Sequence, residues 1–218
     1  MSQTLLDAVH AEAASHIPGF AVVPKSESLL QRAIGKLMFF NRAYMERFTT
    51  TLYPKVYLGA VSVGKTDRGQ AALLAHEFVH LYDQKRSRVG FPLKYLFPQV
   101  LALGALGAFW HLWCLAFLLA LLPLPAYWRM QYELRGYAMN CAMQFWMNGY
   151  IDPDYKKFVI GQFTGWNYYR MWPDTVDMES RLKMVEKDIR SGAICEGPDG
   201  LPYLRIRTVL ENLQLRRV

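Results

Sequence analysis

Cysteine is scarce in this sequence: Cys114, Cys141 and Cys195 are the only three in 218 residues, far apart and without a Cys-x-x-Cys pair. That excludes a disulfide framework and a thiolate zinc site, and it fits a reducing compartment. No internal repeat and no low-complexity linker is visible, which argues against a solenoid and against two tethered domains. The first fifteen residues carry Asp7 and Glu12 between short apolar groups instead of a basic start followed by an apolar run, so no secretory signal is expected. Acidic residues are the minority: 25 Lys and Arg against 18 Asp and Glu leave a formal charge of +7. Such a surplus suits nucleic acid, an anionic membrane surface or solubility alone. The basic residues are dispersed, and no helix clusters arginine with exposed aromatics, so nucleic acid is not an expected partner.

Charge is absent altogether from Tyr95 to Trp128, a stretch without one Lys, Arg, Asp or Glu. A single crossing from Val100 to Leu122 has the length of a membrane span. Basic residues flank both ends, with Lys85, Arg86, Arg88 and Lys94 before and Arg129 and Arg135 after, which places both ends on the cytoplasmic side. A hairpin over about 95–128 satisfies this. Aromatics then fall at an interface (Tyr95, Phe97), a tip (Phe109, Trp110, Trp113) and an interface (Tyr127, Trp128). Each arm of about 17 residues reaches roughly 25 Å as α-helix, short of a full crossing. A buried helical pair or an oligomer contact is the alternative, since Gly104, Gly107, Pro123 and Pro125 also suit tight packing.

The length sustains one domain over residues 1–218, with a sizeable core. Helical periodicity is expected from Glu27 to Phe48, where Leu29, Leu30, Ala33, Leu37 and Phe40 share a face. An edge strand is expected within Thr49–Gly59, which is β-branched and aromatic. Asp67 and Gln70 resemble a capping box, and Ala71–Arg86 has no Gly or Pro and reads as one helix. Trp128–Trp146 reads as a second, ending near Asn148-Gly149. A third begins near Asp174, buries Met178, Leu182, Val185 and Ile189, and stops at Gly192 ahead of a Gly197-Pro198-Asp199-Gly200 turn.

The chemistry-bearing segment is Ala75-His76-Glu77-Phe78-Val79-His80-Leu81. Histidines four apart on a helix project from one face, so both imidazoles reach one tetrahedral ion, and the intervening glutamate lies where it can polarise a bound water. One protein ligand is missing. No Gly-x-x-His continuation follows His80, and Glu133 is the only acidic residue between Asp83 and Asp152. Glu133 is the expected third ligand; Asp83 is the competitor, and pairing of Glu133 with Arg129 or Arg135 is the structural alternative.

With these residues in view, the sequence resembles the gluzincins, zinc peptidases in which His-Glu-x-x-His supplies two ligands and a glutamate on a following helix the third. It is similar as well to small bacterial or phage-encoded zincins, and the apolar insertion resembles the membrane-embedded CAAX-processing and heat-shock proteases. The resemblance implies an α+β, predominantly helical fold. It would combine a zincin-like active-site helix, a small edge sheet and an apolar hairpin inserted between the ligand-bearing helices. It implies Zn2+ held by His76, His80 and Glu133, a peptide or protein substrate, and metal-assisted hydrolysis with Glu77 as general base. The developing oxyanion needs a donor, for which Tyr137, Tyr82 or a later His or Tyr are candidates. Substrate backbone is expected to add to a strand near Lys55 to Val61. Membrane association with a cytoplasmic-side active site follows from the apolar segment. The competing expectation is a membrane-associated structural or interaction protein that keeps the scaffold without turnover.

Overall fold

The computed structural model describes residues 4–37, 43–166 and 170–215. Helices dominate, with one small mixed sheet. Helix α1 (Leu5–His16) opens with a capping box between Thr4 and Asp7. Strand β1 (Ala21–Pro24) leads into α2 (Leu29–Leu37), and the short α3 (Ala43–Glu46) follows. The helical periodicity expected from Glu27 to Phe48 is represented by α2 and α3, and Phe40 lies outside the described residues.

Strands β2 (Thr50–Leu52) and β3 (Lys55–Leu58) form an antiparallel hairpin, with Thr50 opposite Tyr57 and Leu52 opposite Lys55. The sheet order is β1-β3-β2, because β1 pairs in parallel with β3 from Ala21↔Lys55 to Pro24↔Leu58. This corrects the expected edge strand for substrate near Lys55–Val61. That strand is the centre of the sheet, both its edges are occupied, and Ala60–Val63 is a short helix, α4. The outer strand beside the chemistry is β2, where the Gln84 side chain donates to the Thr51 carbonyl at 3.0 Å and accepts from the Tyr53 amide at 2.9 Å.

Helix α5 (Asp67–Arg86) is capped by the Thr66 hydroxyl, which accepts from the Gly69 amide. The expected pairing of Asp67 with Gln70 is replaced: Gln70 turns back and donates to the carbonyls of Val63 and Lys65. From Leu74 to Gln84 every residue of α5 is buried, because α1 packs on one side and α7 (Tyr127–Asn148) on the other. A helix enclosed on several sides has no polar stripe, which is why ionisable residues inside it need partners.

Between them lie α6 (Gly90–Leu96) and two 3₁₀ arms, Gln99–Phe109 and Leu112–Leu121, packed against each other across a turn at Trp110-His111. The expected hairpin is there in 3₁₀ form, and no helix among the described residues is long and apolar enough to cross a membrane. Helix α7 ends at Gly149, whose φ of 84° is the left-handed conformation expected at a helix C-terminus. Helices α8 (Pro153–Thr164), α9 (Thr175–Ser191) and α10 (Gly197–Asn212) complete the fold. The Asp174 start and Gly192 stop of α9 are as expected. Gly197-Pro198-Asp199-Gly200 is the first turn of α10 instead of a free turn, since proline suits the opening of a helix, where amides need no intrahelical acceptor.

Two apolar clusters flank α7. The larger joins α1, α5, α10 and the C-terminal half of α7 through Val9, Phe78, Leu81, Met139, Ile206 and Leu210. The smaller packs Met130, Leu134 and Tyr137 against Phe163 of α8 and Met178 of α9. Each clamps one end of α7, so its face towards α5 is held in a fixed rotation.

Candidate metal centre

His76 and His80 stand one turn apart on α5, and Glu133 faces them from α7; all three are buried. The two Nε2 atoms lie 3.2 Å apart. Glu133 Oε2 is 3.6 Å from His76 Nε2, and its Oε1 is 3.8 Å from His80 Nε2. Ligand atoms on a tetrahedral zinc, with bonds near 2.0–2.1 Å, are separated by about 3.3–3.4 Å. The observed spacings bracket that value. These three residues form a group that can hold a metal ion, and no comparable cluster of His, Cys, Asp and Glu occurs elsewhere among the described residues.

The approach of the two helices depends on Gly136, which lies between Glu133 and Tyr137 on α7. A Cβ at that position would stand 2.5 Å from Cε1 and 2.7 Å from Cδ2 of His76. The absent side chain is the space that the imidazole occupies.

Among the described residues no arginine pairs with Glu133. Arg129 donates instead to the Tyr95 carbonyl at 3.0 Å and to Gln99 Oε1 at 2.8 Å, and Arg135 pairs with Asp83 at 3.0 Å and with Asp199 at 3.7 Å. Asp83 is therefore bound to Arg135 and stands outside the metal-binding group. Burial raises its pKa against the pull of that guanidinium. Burial also resists ionisation of Glu133. The hydrogen bond from His76, the charges of His80 and His76, and the Tyr95 hydroxyl outweigh it and hold Glu133 at about 2. Burial pulls the His76 pKa down, but the Glu133 hydrogen bond and the charges of Glu77 and Glu133 together raise it.

Tyr95 was not legible as a site residue. The charge-free run placed it at the membrane-facing base of the hairpin; it is half-buried at that neck and donates its hydroxyl to Glu133 Oε1 at 2.5 Å. Its aromatic ring stacks on Phe91 at 5.6 Å. Thr51 of β2 is the second such residue, donating to Glu77 Oε2 at 2.5 Å. A carboxylate on α5 is thereby tied to the outer strand of the sheet. Lys25 is the third: the residue is 1% exposed, and its ammonium donates to the Tyr44 carbonyl at 2.8 Å and lies 3.6 Å from the Tyr44 ring centroid. Burial lowers its pKa to about 8 against the attraction of Glu77.

Tyr137 packs its ring edge-on against His76 with centroids 5.0 Å apart, and against Phe163 at 5.6 Å. Tyr82 lies in the main core against Phe78 at 5.1 Å. His80 Nδ1 has no hydrogen-bond partner among the described residues, so it lacks the second bond that orients most ligating imidazoles. The rings of His76 at 4.9 Å and Phe91 at 6.1 Å hold it by packing.

No protein-family model, curated protein or solved structure matches the chain.

Proposed function

We propose that this chain is a zinc-dependent metallopeptidase of the gluzincin type, working at a membrane surface. The observation that carries the reading is the convergence of His76, His80 and Glu133 as a buried group, with Glu77 on the same helix as the histidines. Two imidazoles and one carboxylate are a ligand set of catalytic zinc sites, in which the fourth position is kept for water or substrate. A bound zinc ion supplies a Lewis acid for the scissile carbonyl and lowers the pKa of the attacking water towards about 7.

Thr51 occupies Glu77 Oε2, which leaves Oε1 to take the proton of the attacking water. The water oxygen bonds to the carbonyl carbon, the C–N bond breaks, and Glu77 returns its proton to the departing amine. Tyr95 holds Glu133 by its second oxygen, and the metal-ligating carboxylate cannot swing away. Tyr137, packed edge-on against His76, is the residue to which we assign the oxyanion donor.

Metal analysis together with cleavage of a peptide library tests the reading. Wild type and Glu77→Gln are expected to hold one zinc each, His76→Ala, His80→Ala and Glu133→Gln to lose it, and only wild type to cleave. Stoichiometric zinc in both histidine variants refutes the ligand set. Zinc without cleavage of any peptide refutes turnover and leaves a scaffold protein.

A further inference from the structure

The hairpin between α6 and α7 is built inside out. Its arms meet through small residues: a Cβ at Gly104 would lie 2.7 Å from the Phe117 ring, and one at Gly107 would lie 2.9 Å from Cys114 Sγ. Only Cys114 and Ala120 of the two arms are buried. The large side chains point outward. Phe109 is 88% exposed, Trp110 79% and Leu112 78%, and Leu103, Leu106 and Trp113 are exposed as well. A surface that is apolar around its whole circumference matches hydrocarbon. A protein partner covers one face and leaves a polar rim.

The neck has the opposite chemistry. Lys94 Nζ stands 4.6 Å from the Trp128 ring centroid, and Arg129 crosses the base of the hairpin to Tyr95 and Gln99. Cations beside indole rings at the root of an uncharged projection suit the headgroup layer of an anionic bilayer. Backbone polarity is compatible with burial, because 3₁₀ arms pair their amides internally, and the turn amides of Trp110 and Cys114 bond to Gly107 and His111. At about 2.0 Å rise per residue, arms of 11 and 10 residues reach about 20–22 Å. That exceeds one leaflet and falls short of the hydrocarbon core of about 30 Å.

We infer that the hairpin dips into a lipid bilayer from one side without crossing it. The metal-binding group is thereby held at headgroup depth, and the substrates are polypeptide segments adjoining a membrane anchor. The link is direct in the fold: Tyr95, which bonds Glu133, is followed immediately by the exposed Leu96 and Phe97. The metal-binding group therefore adjoins the root of the inserted element. The substrate class rests on the peptidase reading above, whereas insertion does not.

The test uses the full chain and vesicles of phosphatidylcholine mixed with phosphatidylglycerol. Wild type is expected to float with vesicles, and bromines placed on the acyl chains are expected to quench its tryptophan emission. Phe109→Asp with Leu112→Asp alters only exposed tip positions, so zinc content and helix content are expected to stay unchanged while vesicle partitioning falls at least about 100-fold. Wild type that stays free of vesicles overturns insertion. So does a tip variant that floats as well as wild type, or one whose sole change is from dimer to monomer, which would make a second copy the occupant. For the substrate class, one peptide is presented acylated on vesicles and free in solution. Preferential cleavage of the acylated form by wild type, lost in the tip variant, is the expected result; equal cleavage of both overturns it. Vesicle binding with no cleavage of either, and no difference from Glu77→Gln, fails the peptidase reading and the substrate class together but leaves insertion standing.

Discussion

Replacing Gly136 by alanine separates the metal site from the fold that carries it. The new methyl would begin 2.5 Å from a ring carbon of His76, against an ordinary contact of about 3.5 Å. The imidazole must move by about 1 Å or α7 must draw back by as much. Zinc–ligand distances tolerate only about 0.2 Å, and a displacement of about 1 Å at a reactive centre costs on the order of 100-fold. Zinc affinity is therefore expected to fall at least 100-fold, equivalent to about 2.7 kcal/mol. Stability responds differently. Alanine gains about 1 kcal/mol over glycine within a helix, which offsets much of an overpacking cost of about 1–3 kcal/mol. Urea denaturation of the metal-free protein is thus expected to change by no more than about 2 kcal/mol. Gly161 supplies the control: it lies within α8 with nothing inside 4 Å of its missing Cβ. Gly161→Ala is expected to leave zinc binding alone. Competition against a chromophoric chelator measures all three proteins. A Gly136→Ala variant within about 3-fold of wild-type zinc affinity would refute the close α5–α7 approach as the determinant of the site.

Tyr95→Phe removes the hydroxyl that holds Glu133 and is expected to weaken zinc binding about 10- to 100-fold in the same competition assay, with helix content by circular dichroism unchanged. Asp83→Asn breaks the pair with Arg135; urea denaturation is expected to show a loss of about 1–3 kcal/mol while zinc affinity stays within a few-fold, and dependence of zinc on Asp83 would reverse the ligand assignment. In the metal-free protein, Glu133, lowered from 4.5 to about 2, contributes stability that is present above pH 4.5 and lost as pH falls towards 2, and Glu133→Gln is expected to flatten that acid limb in pH-resolved denaturation. His76, raised above 6.5, contributes stability that is present below pH 6.5 and fades as pH rises through its folded value, whereas zinc affinity, which needs the neutral imidazole, is expected to rise over that same window with proton uptake by the buffer.

The sequence by itself determined whatever rests on one element. His76, Glu77 and His80 are legible because helical spacing alone puts the histidines on one face, and the uninterrupted run from Ala71 to Arg86 identifies the helix. Glu133 was legible by its isolation in the charge-poor stretch, and the hairpin by the lack of any charge from Tyr95 to Trp128. The tertiary structure decided everything that depends on two elements meeting. Gly136 reads as an ordinary helix glycine until α7 lies against His76, and the bond from Tyr95 to Glu133 exists only once the neck of the hairpin has folded onto α7. Thr51 and Glu77 are 26 residues apart, and only the β1–β3 pairing turns β3 into a central strand and leaves β2 as the edge beside them. The reason is physical: helical periodicity is imposed by local backbone geometry, whereas a hydrogen bond or a close approach between distant segments exists only after the core has set their distance and rotation.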